Sequence, residues 1–140
     1  LGALLRVACC SGAHGVVIPV DRAAGVTPAA ARASAGGAEH VRVARVPNLV
    51  QAMRKFKDDG GWLYGLDAGE GSALYTDTDL KGAIGIVVGS EGLGLGRLVG
   101  EACDVRIRLP MLGSLDSLNA SVAGAVALYE VLRQRGISAS

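Results

Sequence analysis

Two stretches concentrate the residues that could do chemistry. In "IVVGSEGLGLGRL", Ile86 to Leu98, an apolar run opens into a loop where Gly89, Gly92, Gly94 and Gly96 surround Glu91. Glycines admit positive φ and let a ligand approach the backbone. A tight turn needs one or two of them; four with a carboxylate among them suggest a binding loop. Phosphate motifs do not fit. A Walker A loop requires Lys and then Ser or Thr after its last glycine, where Arg97 and Leu98 stand. A Rossmann fingerprint requires GxGxxG, and Gly94 and Gly96 are followed by Gly100 one residue too late. Glu91 would also repel phosphate. Exposed carbonyls and a carboxylate suit a purine nucleoside that carries a cationic group.

The second stretch is "LPMLGSLDSLNASVAGAVALYE", Leu109 to Glu130. Ser114, Asp116, Ser117, Asn119 and Ser121 crowd the mouth of an apolar helix. One serine, Ser114 or Ser117, suffices as a cap. The surplus, with the free N–H groups of a helix start, can hold a substrate hydroxyl or the amino and carboxylate groups of a cofactor. Arg6, inside the apolar "LGALLRVACC", reads as a snorkelling surface residue or as a clamp for phosphate or carboxylate.

Alternating elements must position these groups. Residues 1–12 read as a helix and "GVVIPV" as a buried strand. "TPAAARASAG" reads as a helix opened by Thr27 and Pro28 and ended by Gly36 and Gly37. "HVRVARV" alternates as a strand does. Asn48 caps a helix over "LVQAMRKFKDD", with Leu49, Met53 and Phe56 on one face and Gly60 and Gly61 as its stop. "WLYGLD" is a strand, "AGEGSALYTDTDLKG" a loop, and "AIGIVVG" a strand apolar enough to be covered on both faces. "GLGRLVGEA" is a helix, "VRIRLP" a strand, and Ser117 to Arg135 a long final helix. Its stripe of Leu118, Val122, Ala125, Val126, Tyr129 and Leu132 is expected to face the core.

Such alternation means an α/β fold with a mostly parallel sheet. Ligands bind outside the carboxyl ends of strands in such sheets. There lie "GLDAGEG", "GSEGLGLG" and "PMLGSLDSLN".

The 140 residues are 50% hydrophobic and 19% charged, with a formal net charge of +1. That suits one domain with a real core and argues against disorder. No apolar run reaches the roughly 18 residues of a membrane span. Near-neutral charge is low for a stand-alone nucleic-acid binder. The three cysteines, Cys9, Cys10 and Cys103, are read as reduced thiols of a cytoplasmic protein. His14 and His40 lack metal-ligand spacing, so no metal is expected.

"LGALLRVA", "IVVGSEGLGLGRL" and "LPMLGSLDSLNASVAGAVALYE" resemble, in this order, the three motifs of the SpoU/TrmH family of RNA ribose 2′-O-methyltransferases. The middle region is similar to the RlmB type, which modifies a guanosine ribose in large-subunit ribosomal RNA. The resemblance implies the SPOUT α/β-knot, a mostly parallel sheet flanked by helices with a C-terminal deep trefoil knot. It implies S-adenosyl-L-methionine as cofactor, an RNA substrate with ribosomal RNA favoured, and a homodimer with the active site near its interface. It places Gly89, Leu109 and Leu118 against the cofactor, with Leu66, Asp67, Ala68, Glu91, Gly92, Met111 and Ser117 completing the pocket. Arg6, Glu91, Ser117 and Asn119 match the catalytic positions. Residues 1–140 would be the catalytic domain, N-terminally truncated. The Asn preceding "LGA" in the family falls before Leu1, and the RlmB type's N-terminal RNA-binding domain is expected to be absent. A transfer-RNA substrate and a non-catalytic cofactor- or RNA-binding knot domain are the alternatives. DNA lacks the 2′-OH and is not expected as a substrate.

Overall fold

The structure, a computed structural model, describes residues 2–20, 41–89, 94–115 and 118–136. The helix expected over residues 27–36 lies outside these, as do Glu91, Gly92, Asp116 and Ser117. The described elements are α1 (Gly2–Cys10), β1 (Val16–Pro19), β2 (Val43–Val46), α2 (Leu49–Asp58), β3 (Trp62–Leu66), β4 (Ala73–Leu74), a 3₁₀ turn (Tyr75–Asp77), β5 (Ile84–Val87), α3 (Arg97–Ala102), β6 (Val105–Arg108) and α4 (Ala120–Arg135). All pairings among the described strands are parallel: β1 with β2, and a four-stranded sheet ordered β4-β6-β3-β5.

Strand alternation sends neighbouring residues to opposite faces, and β3 shows both faces covered. Leu63 packs with Met53 and Ala102 beneath α2 and α3. Tyr64 packs with Leu80, Ile107 and Val131 beneath α4. A third cluster, Leu5, Ala8 and Val41, seats α1 beside β1 and β2. The start of α2 is fixed as its sequence suggests: Asn48 Oδ1 accepts from the Gln51 amide at 3.1 Å. Its end is tight, because Gly61 lies so close to the Phe56 ring that a Cβ would overlap it.

Two expectations are corrected. The final helix begins at Ala120, and Asn119 rather than a serine is its N-cap, accepting from Ser121 N at 2.9 Å and Val122 N at 3.4 Å. The apolar stripe of that helix does not face the core. Leu118, Val122 and Tyr129 are exposed, whereas Gly124, Ala127, Glu130 and Val131 are buried. Close approach explains the inversion. A Cβ on Gly124 would stand 2.9 Å from Leu4 Cδ1 and 3.5 Å from Val88 Cγ2, so α1 and β5 demand the helix's smallest residues.

Glu130 is buried but partnered. Arg133 Nε and Nη2 donate to it at 2.6 and 2.9 Å, and Gln134 Nε2 at 2.8 Å. Gln134 also accepts from Leu80 N at 2.7 Å and donates to Thr78 O at 2.8 Å. These bonds tie the end of α4 to the segment before β5. Within the stretch read as one loop, residues 68–82, the structure adds β4 and the 3₁₀ turn. Two strand residues are too few to register as alternation.

Candidate active site

β3, β5 and β6 run parallel and end together, Gly65 opposite Val87 and Leu66 opposite Ile107. Adjacent strands lie about 4.8 Å apart. Leu66 to Ala68, Val88 to Gly89 and Leu109 to Met111 therefore leave the sheet side by side. Leu109 is buried, Leu66, Asp67, Gly89 and Met111 are half-buried, and Ala68 is exposed.

Glycine is required at 89, because a Cβ there would overlap the Gly94 carbonyl and reach Leu95 N at 2.7 Å. The chain thus returns onto β5 before entering α3, through Gly94 (φ 66°) and Gly96 (φ 77°). Beneath this return, a Cβ on Gly65 would meet Leu95 Cδ1 at 2.7 Å and Cys103 Sγ at 2.8 Å. Burial pushes the Cys103 thiol above its ordinary pKa, and Arg106 partly offsets this. Cys103 is accordingly a packing residue, its S–H turned to the Val99 carbonyl at 3.4 Å.

The Gly124–Val88 contact brings α4 to the same end of the sheet. Asn119 lies five residues from Gly124, about 7.5 Å along a helix, and Leu118 precedes it. Asn119 is exposed and its Oδ1 is engaged in capping. Arg6 differs from the rest. Its helix touches α4 through Leu4, but Arg6 shares the exposed face with Ala3 and Cys10. No described contact joins it to the strand-end group. Glu91, Gly92 and Ser117 lie outside the described residues.

Two site residues escaped the sequence reading. Arg106 Nη1 lies 3.5 Å from Asp67 Oδ2, and Arg108 Nη1 donates to the Ser72 carbonyl at 2.6 Å. The alternation of "VRIR" hints at exposed cations but names no partner. Among the described residues the strand ends bring together apolar Leu66, Leu109 and Met111 with one ion pair, Asp67 to Arg106, and with Arg108 beside it. Apolar walls flanked by strand-end backbone suit a nucleoside.

The comparisons with known proteins agree with this chemistry. The model of the SpoU rRNA methylase family matches residues 1–129. A Synechocystis protein named as an uncharacterized tRNA/rRNA methyltransferase is 48% identical over 136 residues, covering 97% of this chain and 35% of its own length. The 23S rRNA (guanosine-2′-O-)-methyltransferase RlmB of Xanthomonas campestris is 47% identical over 135 residues, covering 96% of this chain and 54% of its own. The solved SpoU methyltransferase AviRb of Streptomyces viridochromogenes, in complex with AdoMet, superposes with a TM-score of 0.85 at 31% identity, covering 96% of this chain and 55% of that one. The chain thus spans between a third and little more than half of the curated relatives' lengths. Among the described residues no helix is long and apolar enough to cross a membrane. With the family model matched across nearly all of the sequence, the chain belongs to the SpoU rRNA methylase family.

Proposed function

We propose that this chain is the catalytic domain of an RNA methyltransferase. It would transfer a methyl group from S-adenosylmethionine to the ribose 2′-OH of a guanosine in large-subunit ribosomal RNA. The observation that carries the reading is the grouping of Leu66, Asp67, Ala68, Gly89, Leu109 and Met111 at the carboxyl ends of three adjacent parallel strands, in a chain of this family. The RNA class is supported by the names of the relatives. One of them is named as an uncharacterized tRNA/rRNA methyltransferase, which keeps a transfer-RNA substrate as the second reading.

S-adenosylmethionine supplies an electrophilic methyl group when bound. Backbone groups at 67–68, 89 and 109–111 would hold it, with Leu66, Leu109, Met111 and Leu118 as apolar walls. Glu91, Gly92 and Ser117 complete the proposed set. The ribose oxygen would gain the methyl as the methyl–sulfur bond breaks, the electron pair going to sulfur to leave a neutral thioether, and would lose its proton. A guanidinium stays protonated in proteins, so Arg6 serves as a grip on the neighbouring phosphate and a stabiliser of the forming alkoxide. That phosphate or water takes the proton. Asn119 and Ser117 orient the ribose, and Glu91 braces the loop. Holding the reactants in line can itself supply on the order of 7–11 kcal/mol in favourable cases.

The proposal includes a homodimer and the deep C-terminal knot. Leu112 (96% exposed) and Leu115 (79% exposed) project from the segment before α4. They are joined by Leu118, Val122 and Tyr129, an apolar surface of the kind that marks an interface. Exposed Arg6 would then work beside that interface.

Calorimetry with S-adenosylmethionine and tritium transfer onto unmodified ribosomal and transfer RNA test the reading. Transfer to ribosomal RNA supports it. Transfer to transfer RNA alone changes the substrate, and binding without transfer reduces the chain to a binding module. Arg6→Ala should lower transfer at least about a hundredfold, the scale of losing a transition-state donor, with cofactor affinity unchanged. Unaltered turnover would remove Arg6 from the chemistry.

A further inference from the structure

Arg106 and Arg108, unused in the chemistry above, hold both ends of the β3–β4 loop. β3 and β4 flank β6, and both meet it at one level, with Leu66 and Ala73 opposite Ile107. Residues 67–72 therefore carry the chain from one side of β6 to the other. Parallel crossovers ordinarily take a dozen or more residues, so this passage has little slack. Arg106 and Arg108 are two apart on β6 and so emerge on one face. Arg106 reaches Asp67 at the start of the loop, Nη1 to Oδ2 at 3.5 Å. Arg108 donates to the Ser72 carbonyl at its end. Between them, Asp67 Oδ1 accepts from Gly69 N at 3.1 Å, and Ser72 Oγ donates to Gly69 O at 2.7 Å.

We propose that Arg106 and Arg108 are positioning residues that fix the β3–β4 loop in its binding shape before the cofactor arrives. This rests on the reading that Leu66, Asp67 and Ala68 receive S-adenosylmethionine. The loop's Ala68, Gly69, Gly71 and Ser72 are small and conformationally free when untethered. A ligand that had to order them would bind more weakly. The ion pair adds little to global stability, because its side chains are 41% and 31% exposed; its effect is on loop shape. α3 supports the guanidinium: a Cβ on Gly100 would stand 2.9 Å from Arg106 Nη2 and 3.3 Å from Cζ. That flat seat beneath a forked donor suits arginine and not lysine.

The test is calorimetric titration of S-adenosylmethionine into the chain and its variants, with melting of each without cofactor. Arg106→Gln and Arg108→Gln should each raise Kd about tenfold, with melting temperatures within about 2 °C of the parent. Gly100→Ala displaces the guanidinium without removing a charge, and alanine favours the helix. It should weaken binding similarly and melt no lower than the parent. Arg106→Lys should recover little affinity. In methyl transfer, KM for the cofactor should rise while kcat at saturation stays within about twofold. Parent-like Kd in Arg106→Gln, Arg108→Gln and Gly100→Ala overturns the proposal, as does a loss of affinity that merely tracks a loss of melting temperature. Failure of the cofactor reading itself shows differently, as no binding heat in the parent chain.

Discussion

Asn119 stands at a conflict between two jobs. The proposed mechanism makes it a group that orients the ribose, and the structure makes its Oδ1 the cap of α4. Substitutions separate the two. Asn119→Ala should cost about 1 kcal/mol of stability and lower methyl transfer. Asn119→Ser keeps a capping oxygen but shortens the reach. It should restore the melting temperature and leave turnover depressed; recovery of both would leave only the cap. The sequence shows why this residue was misplaced. Asn48 was legible as a cap because one candidate preceded one periodic run. At the second mouth, Ser114, Ser117 and Asn119 all qualify by type, and only the backbone decides among them.

At the scale of the element, the end of α4 offers a pH test. Hydrogen bonds from Arg133 hold the Glu130 carboxyl below its ordinary value of 4.5, outweighing burial, which raises it. A depressed carboxylate contributes stability that is complete above that ordinary value. The contribution fades as pH falls through the lower folded value. Glu130→Gln should therefore melt below the parent at pH 7, and the two curves should converge as pH drops beneath about 4.5. A gap that persists at low pH would mean that the network acts through packing alone. Apart from β4 and the 3₁₀ turn, the described helices and strands are readable from period and stops, β5 above all. The orientation of α4 was not. Periodicity chose Leu118, Val122 and Tyr129 as the inner face, yet contact with Leu4 and Val88 selects Gly124. A hydrophobic stripe identifies a buried face only when nothing else competes to cover it.

Over the whole molecule, that displaced stripe is where a second copy would sit. Leu115→Asp alters an exposed side chain and touches no described core cluster. It should leave the fold intact, convert a dimer to monomers in sedimentation, and abolish transfer if the site needs both copies. A monomeric parent would discard the dimer. The α/β class and the three strand-end loops could be foreseen because alternation and glycine clusters are local signals. The passage of residues 67–72 around β6 could not, since the strand order β4-β6-β3-β5 is written in no neighbouring residues.

The seating of Leu4 on Gly124 has a consequence for how this chain is made. Helix α1 leaves the ribosome before α4, and Leu4 meets Gly124 only after some 120 further residues emerge. Until then α1 lacks the helix that covers it, and it is in that interval of synthesis, before α4 docks, that a chaperone would be of most use.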